Sequence, residues 1–124
     1  MSLEYEELTE KIIAAAIEVH RRLGPGFLES IYENALVIEL KKRNLKIKQQ
    51  YEVIINYDGF EIGRHRIDLF IEDAIVLELK TIKSIENIHF AIVKSYLRAL
   101  NNNHGLILNF SKEKLEIKRV IVNN

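Results

Sequence analysis

Cysteine is absent from the chain. That excludes a disulfide scaffold and any zinc site built on thiolates. It suits a reducing compartment, so a cytoplasmic location is expected. One proline and five glycines leave little room for long disordered linkers. No apolar run approaches the roughly 20 residues that a membrane span needs, and no membrane partner is expected. The start, MSLEYEEL, is acidic and lacks the basic-then-apolar pattern of a secretory leader. An excess of one charge is missing too: 18 Lys and Arg balance 18 Asp and Glu. Any affinity for nucleic acid must then come from local patches rather than from a basic whole. The 4 histidines show no HxxxH or HxH spacing, which argues against a zinc site made of histidine.

What is there is an ordinary folded-domain composition. Of 124 residues, 48% are apolar and 29% charged. One core and one domain over 1–124 are expected.

Periodicity orders the chain. Residues 4–23 read as a helix, with Ile13, Ala16, Ile17, His20 and Leu23 as its apolar stripe. Gly24-Pro25-Gly26 ends it. A second helix is expected over 28–43, with Leu28, Ile31, Ala35 and Ile38 sharing a face. The period then shortens. Residues 47–57 and 60–71 read as strands joined by Asp58-Gly59, a strong hairpin signal. Residues 74–79 form an apolar and so central strand. A third helix is expected over 86–101, its buried side drawn from Ile88, Ala91, Ile92, Tyr96 and Leu100. Strands at 105–110 and 115–122 follow. The order α-α-β-β-β-α-β-β predicts an α/β fold of the α+β kind, a central mixed sheet flanked by helices.

The third strand contains Glu78-Leu79-Lys80. Alternation places Glu78 and Lys80 on one face. A carboxylate suits a hard divalent cation, and a neighbouring ammonium can steady developing negative charge. Asp68 lies on the preceding strand. If Glu72-Asp73-Ala74 is the turn, Ile71 pairs with Ile75 and Asp68 falls opposite Glu78. Two unpaired carboxylates there would repel unless a cation sat between them. By itself, Glu-x-Lys on a strand is more often a solvated surface pair.

A longer stretch is more specific. Ile17 to Leu36, IEVHRRLGPGFLESIYENAL, resembles the signature of the GxxExxY protein family, through Gly26, Glu29 and Tyr32. The resemblance continues through Arg66-Ile67-Asp68-Leu69, Glu78-Leu79-Lys80, His89, Tyr96-Leu97, Gly105 to Phe110 and Lys118-Arg119. That family is grouped with the PD-(D/E)XK phosphodiesterases. The resemblance implies a restriction-endonuclease-like core, a magnesium or manganese cofactor and a nucleic-acid substrate. It implies that Asp68 and Glu78 are metal ligands, Lys80 the catalytic lysine and Glu29 an additional acid from the second helix. The glutamine that the family usually places four residues before Tyr96 is Ile92 here.

Other residues have competing readings. Glu29 in a first helical turn also favours the helix dipole. Tyr32 shares its face and reads as packing plus one hydrogen bond. His20, alone in an apolar stripe, is more often a bonded core histidine than a ligand. His89 either faces the site or helps its helix start. His65 alternates away from Asp68 and reads as unrelated to it. Arg64 and Arg66 alternate onto the face of Asp68, which would make a phosphate track, with Tyr96 near the substrate. Lys94 and Arg98 could extend it. Against metal-dependent cleavage of DNA or RNA stand two other functions: a nucleic-acid-binding module that has lost catalysis, and a protein-interaction or homo-oligomer-forming domain.

Overall fold

The computed structural model describes residues 3–123. Residues 1–2, the first two of the MSLEYEEL start, and residue 124 lie outside them. The described residues form helices α1 (Leu3–Leu23), α2 (Glu29–Lys42) and α3 (Asn87–Leu100). They form strands β1 (Ile47–Tyr57), β2 (Phe60–Ile71), β3 (Ile75–Lys80), β4 (His104–Asn109) and β5 (Glu116–Ile121). The order is the expected one. The sheet runs β1-β2-β3-β4-β5 and is mixed: β3 and β4 are parallel, the other neighbours antiparallel.

Turn chemistry sets the registers. Asp58 and Gly59 both have positive φ, 51° and 79°, and close the β1–β2 hairpin at Tyr57–Phe60. Glu72 and Asp73 repeat that geometry at 53° and 50°, and Ala74 N–H donates to Ile71 O at 2.9 Å. Ile71 therefore pairs with Ile75, as the three-residue turn requires.

Two apolar layers sandwich the sheet. On one side, Ile12, Ala16 and Val19 of α1 and Tyr32, Leu36 and Leu40 of α2 pack on Leu69, Leu77, Leu79 and Phe110. On the other, Val93, Tyr96 and Leu97 of α3 pack on Phe70, Val76 and Ile107. The expected stripes hold in part: Ala16, His20 and Tyr96 are buried, and other members are not. Ile17 is exposed while Ile12, Ala15 and Val19 are buried. On α2, Leu28 (72% exposed), Ile31 and Ile38 face outward, and Tyr32, Leu36 and Leu40 face in. On α3, Ile88 is exposed and Val93 and Leu97 are buried. Each helix is apolar on more than one side, so spacing alone left two stripes to choose from. The partner decides: Tyr32 stacks on Phe110 with ring centroids 4.6 Å apart.

Strict alternation also fails at one place. Ile67 and Phe70, three residues apart, both pack on the α3 side, whereas Leu69 and Ile71 pack on the α1–α2 side. Across the hairpin, Ile47 lies with α1 and α2, but Tyr51 and Val53 lie with α3. Both strands exchange faces between these residues. Gln50, with φ 52°, is the left-handed residue where β1 turns over. Asp68 sits at the corresponding place on β2.

Candidate active site

The β2–β3 ladder ends with Leu69 paired to Leu77. Beyond it, a side chain takes over from the backbone: Leu79 N–H donates to Asp68 Oδ2 at 2.9 Å. Asp68 is thereby fixed one step past the ladder, next to Glu78. From there the Asp68 carboxyl acts electrostatically on that of Glu78.

Glu78 is 5% exposed, and its Oε1 has no hydrogen-bond partner. Burial, and then the Asp68 charge, push its carboxyl up to about 9, against the pull of Lys80. At neutral pH in the absence of a cation it carries a proton. Lys80, on the same strand, ends β3 and is half-buried.

Glu29 joins this pair from the first turn of α2. Its carboxyl is raised by burial and by Asp68, and is drawn down by Lys80 and a hydrogen bond from the Thr81 backbone. Four side chains from three elements thus act on one another at the C-terminal end of β3. Tyr96 approaches from α3. Burial, then Glu78 and Asp68, raise its hydroxyl to about 12.

A model of the PD-(D/E)XK nuclease superfamily matches residues 6–120. The chain belongs to this superfamily. Among solved structures, this PD-(D/E)XK domain is similar to the crystal structure of SSO0001, with a TM-score of 0.61 and 19% identity. The likeness covers 98% of this chain and 61% of that one, so the chain spans about three-fifths of that protein's length. At this identity it shows the fold alone. A comparison with curated proteins finds no match. No helix among the described residues is long and apolar enough to cross a membrane.

Nucleases of this superfamily usually use divalent metals. Among the described residues, no three His, Cys, Asp or Glu side chains are gathered into a ready-made metal cage. What the PD-(D/E)XK domain offers is an oxygen-only donor set, with an unpartnered buried oxygen on Glu78 and a second carboxylate beside it. That fits a hard cation that keeps several waters and takes only one or two carboxylates from protein.

The other expected residues lie elsewhere or do other work. Tyr32 is fully buried, and its hydroxyl donates to Gly24 O and accepts from Phe27 N–H at 3.1 Å. It ties the glycine turn to α2 and holds Glu29 only indirectly. His20 is buried against Phe110, with Nε2 2.7 Å from Lys112 O, between α1 and the β4–β5 turn. His89 caps α3, its Nδ1 accepting from Glu86 N–H at 2.8 Å. Ile92 packs in the α3-side apolar layer.

The expected arginine track does not share a face with Glu78. Because the hairpin turns over at Asp68, Ile67 points to the α3 side, while Arg64 and Arg66 alternate with it and are exposed. Arg64 is engaged by Glu52 at 2.5 Å and Glu61 at 3.0 Å, and Arg66 lies 3.9 Å from Glu52. His65, expected to be unrelated, packs its ring 5.0 Å from that of Tyr96. Regular alternation hides this. A non-glycine left-handed residue such as Gln50 leaves no mark in the sequence.

Asn109 was not singled out as chemical. It is fully buried beside Lys80 in the β3–β4 register. Its Oδ1 accepts from Ile82 N–H at 3.1 Å, and its Nδ2 donates to Ile82 O at 2.8 Å. That pair of bonds fixes the chain leaving Lys80.

Proposed function

We propose that this domain hydrolyses phosphodiester bonds of DNA or RNA with a magnesium-type cation. The carrying observation is the orphaned, buried Glu78 Oε1 beside the Asp68 carboxyl. A surface pair would keep both acids hydrated. Here burial and mutual repulsion make sense as a place for positive charge.

Asp68 and Glu78 would hold the cation, and Glu29 would complete the acidic rim. When bound, such a cation supplies positive charge against a phosphate oxygen and makes water more acidic. Asp68 is oriented by the Leu79 N–H, so its free oxygen is presented in one direction. Glu78 would have to give up its proton to serve as a ligand. Lys80 Nζ would lie next to the acids and can donate to the oxygen on which negative charge grows. Tyr96, raised to about 12, stays protonated and can donate its hydroxyl hydrogen to a phosphate or a water. Glu29, partly buried, suits a water-orienting or proton-accepting role.

The test is titration calorimetry with manganese and magnesium on the parent and on Asp68→Asn, followed by cleavage assays on single- and double-stranded DNA and RNA. Cation binding lost in Asp68→Asn, and metal-dependent cleavage lost in Lys80→Ala, are expected. A parent that binds neither metal and leaves every substrate intact defeats the reading. Salt-dependent binding of nucleic acid without turnover would instead favour a module that has kept the scaffold only. Ile92, apolar where the resembled family carries glutamine, is the observation favouring that second outcome.

A further inference from the structure

Glu33 lies one turn beyond Glu29 on α2 and is 7% exposed. Its partners are amides rather than cations. Gln49 Nε2 donates to Oε2 at 2.7 Å, and Gln50 Nε2 donates to Oε1 at 2.8 Å. Gln49 also reaches Asn34 Oδ1 at 3.0 Å. Burying a carboxylate is costly, and neutral donors offset that cost less fully than a cation would.

What the carboxylate grips is the unusual point of the hairpin. Gln50 has φ 52°, a conformation that a side chain with a Cβ holds only when its surroundings impose it. In the β1–β2 register it falls between the pairs Gln49–Leu69 and Tyr51–Ile67, and so stands opposite Asp68. That is where both strands exchange faces and where the β2–β3 ladder gives way to the Asp68–Leu79 bond. The same helix carries Glu29. A clamp at Glu33 therefore connects the two acids that reach the site from α2 and β2.

We propose that Glu33 is a positioning residue. By fastening Gln49 and Gln50 to α2, it sets where Asp68 stands relative to Glu29. The bearing on catalysis rests on the cation reading above; the placement of Asp68 does not. A residue of this kind touches neither substrate nor cation and acts through the strand it holds.

Hydrogen exchange at the Leu79 amide reads the position of Asp68 without metal or substrate, because that N–H donates to Asp68 Oδ2. Val76 and Leu77 amides, within the sheet, report overall stability. Glu33→Ala removes the clamp but can also unfold the chain. Gln50→Gly is the safer probe: it accepts positive φ without strain and deletes one of the two amides. Gln50→Asn tolerates the same φ and keeps an amide. In Gln50→Gly we expect an unchanged melting temperature and Leu79 exchange faster by about tenfold, with Val76 and Leu77 unaffected. Manganese affinity should fall by about tenfold. Gln50→Asn should restore part of both. Leu79 exchange that is unchanged, or that moves only in step with Val76 and Leu77, overturns the proposal. If manganese binds neither parent nor variant while the selective Leu79 effect is present, the cation reading fails and Glu33 still positions Asp68.

Discussion

Asp68 and Glu78 stand one step beyond the last β2–β3 pair, and the Asp68 carboxyl acts on that of Glu78 where the strands part. Asp68 is held by a backbone N–H, and Glu78 Oε1 is held by nothing. The tethered Asp68 acts on Glu78 as the like charge, and the buried Glu78 carries the proton.

That proton makes stability depend on pH in the metal-free protein. The Glu78 carboxyl is raised from 4.5 to about 9 on folding. Between those values the folded chain binds more protons than the unfolded chain, so stability falls as pH rises. It is greatest at or below about 4.5 as far as this group is concerned, and the contribution is lost through about 9. Glu78→Gln, which keeps the shape and cannot ionise, should flatten the decline. Thermal melts in chelator at pH 6 to 9 check this (roughly three pH units is ample for the slope to show). Parallel curves for parent and variant would count against a buried, protonated Glu78.

A cation held by Glu78, as proposed, would have to displace the same proton. Binding at pH 7 should release about one proton per ion, and the apparent affinity should rise with pH until Glu78 is ionised. Calorimetry in two buffers of different ionisation enthalpy measures the release. Glu78→Gln should abolish it. Equal heats in both buffers would place the cation away from Glu78.

Tyr32 supplies a different kind of prediction. Its hydroxyl bonds Gly24 O and Phe27 N–H across the glycine turn, and its ring stacks on Phe110. Tyr32→Phe keeps the ring and leaves two part-buried backbone groups short of a partner, at a cost of about 1 kcal/mol. The melting temperature should drop, and cation affinity should fall much less than in Asp68→Asn. A variant that melts like the parent yet has lost its metal would move Tyr32 into the site itself.

Much of this fold was legible in the sequence because its signals are local. Asp58-Gly59 fixes one hairpin, and the apolar 74–79 run marks the central strand. The parity of the Glu72-Asp73-Ala74 turn put Ile71 opposite Ile75, which is the observed pairing. The Glu29 neighbourhood was legible only through resemblance, since spacing on a helix says nothing of the strand end it meets. What stayed hidden is non-local. Which stripe of α2 is buried depends on Phe110, far along the chain. The side on which Arg64, His65 and Arg66 lie depends on the left-handed turn at Gln50, and that turn depends on Glu33 in a helix that precedes it.

The arginines give the last prediction, which tests the nucleic-acid reading itself. Arg64 is committed to Glu61 and Glu52, and those acids hold its guanidinium proton more firmly than usual. To touch a phosphate it would have to leave two carboxylates. Arg66 has only a loose contact to Glu52, at 3.9 Å, and its side chain is more exposed. A phosphate contact releases counterions, so each one adds about 0.9 to the slope of log affinity against log salt on duplex DNA. Arg66→Ala should make the slope shallower by about that amount, and Arg64→Ala should leave it nearly unchanged. Glu52→Gln should strengthen binding, because it frees both guanidinium groups from one acid. Fluorescence anisotropy with a labelled duplex, titrated with salt, gives all three slopes. Equal losses from the two arginine variants would mean that nucleic acid outcompetes the glutamates. A slope insensitive to all three changes would mean that this arm of the sheet does not meet nucleic acid.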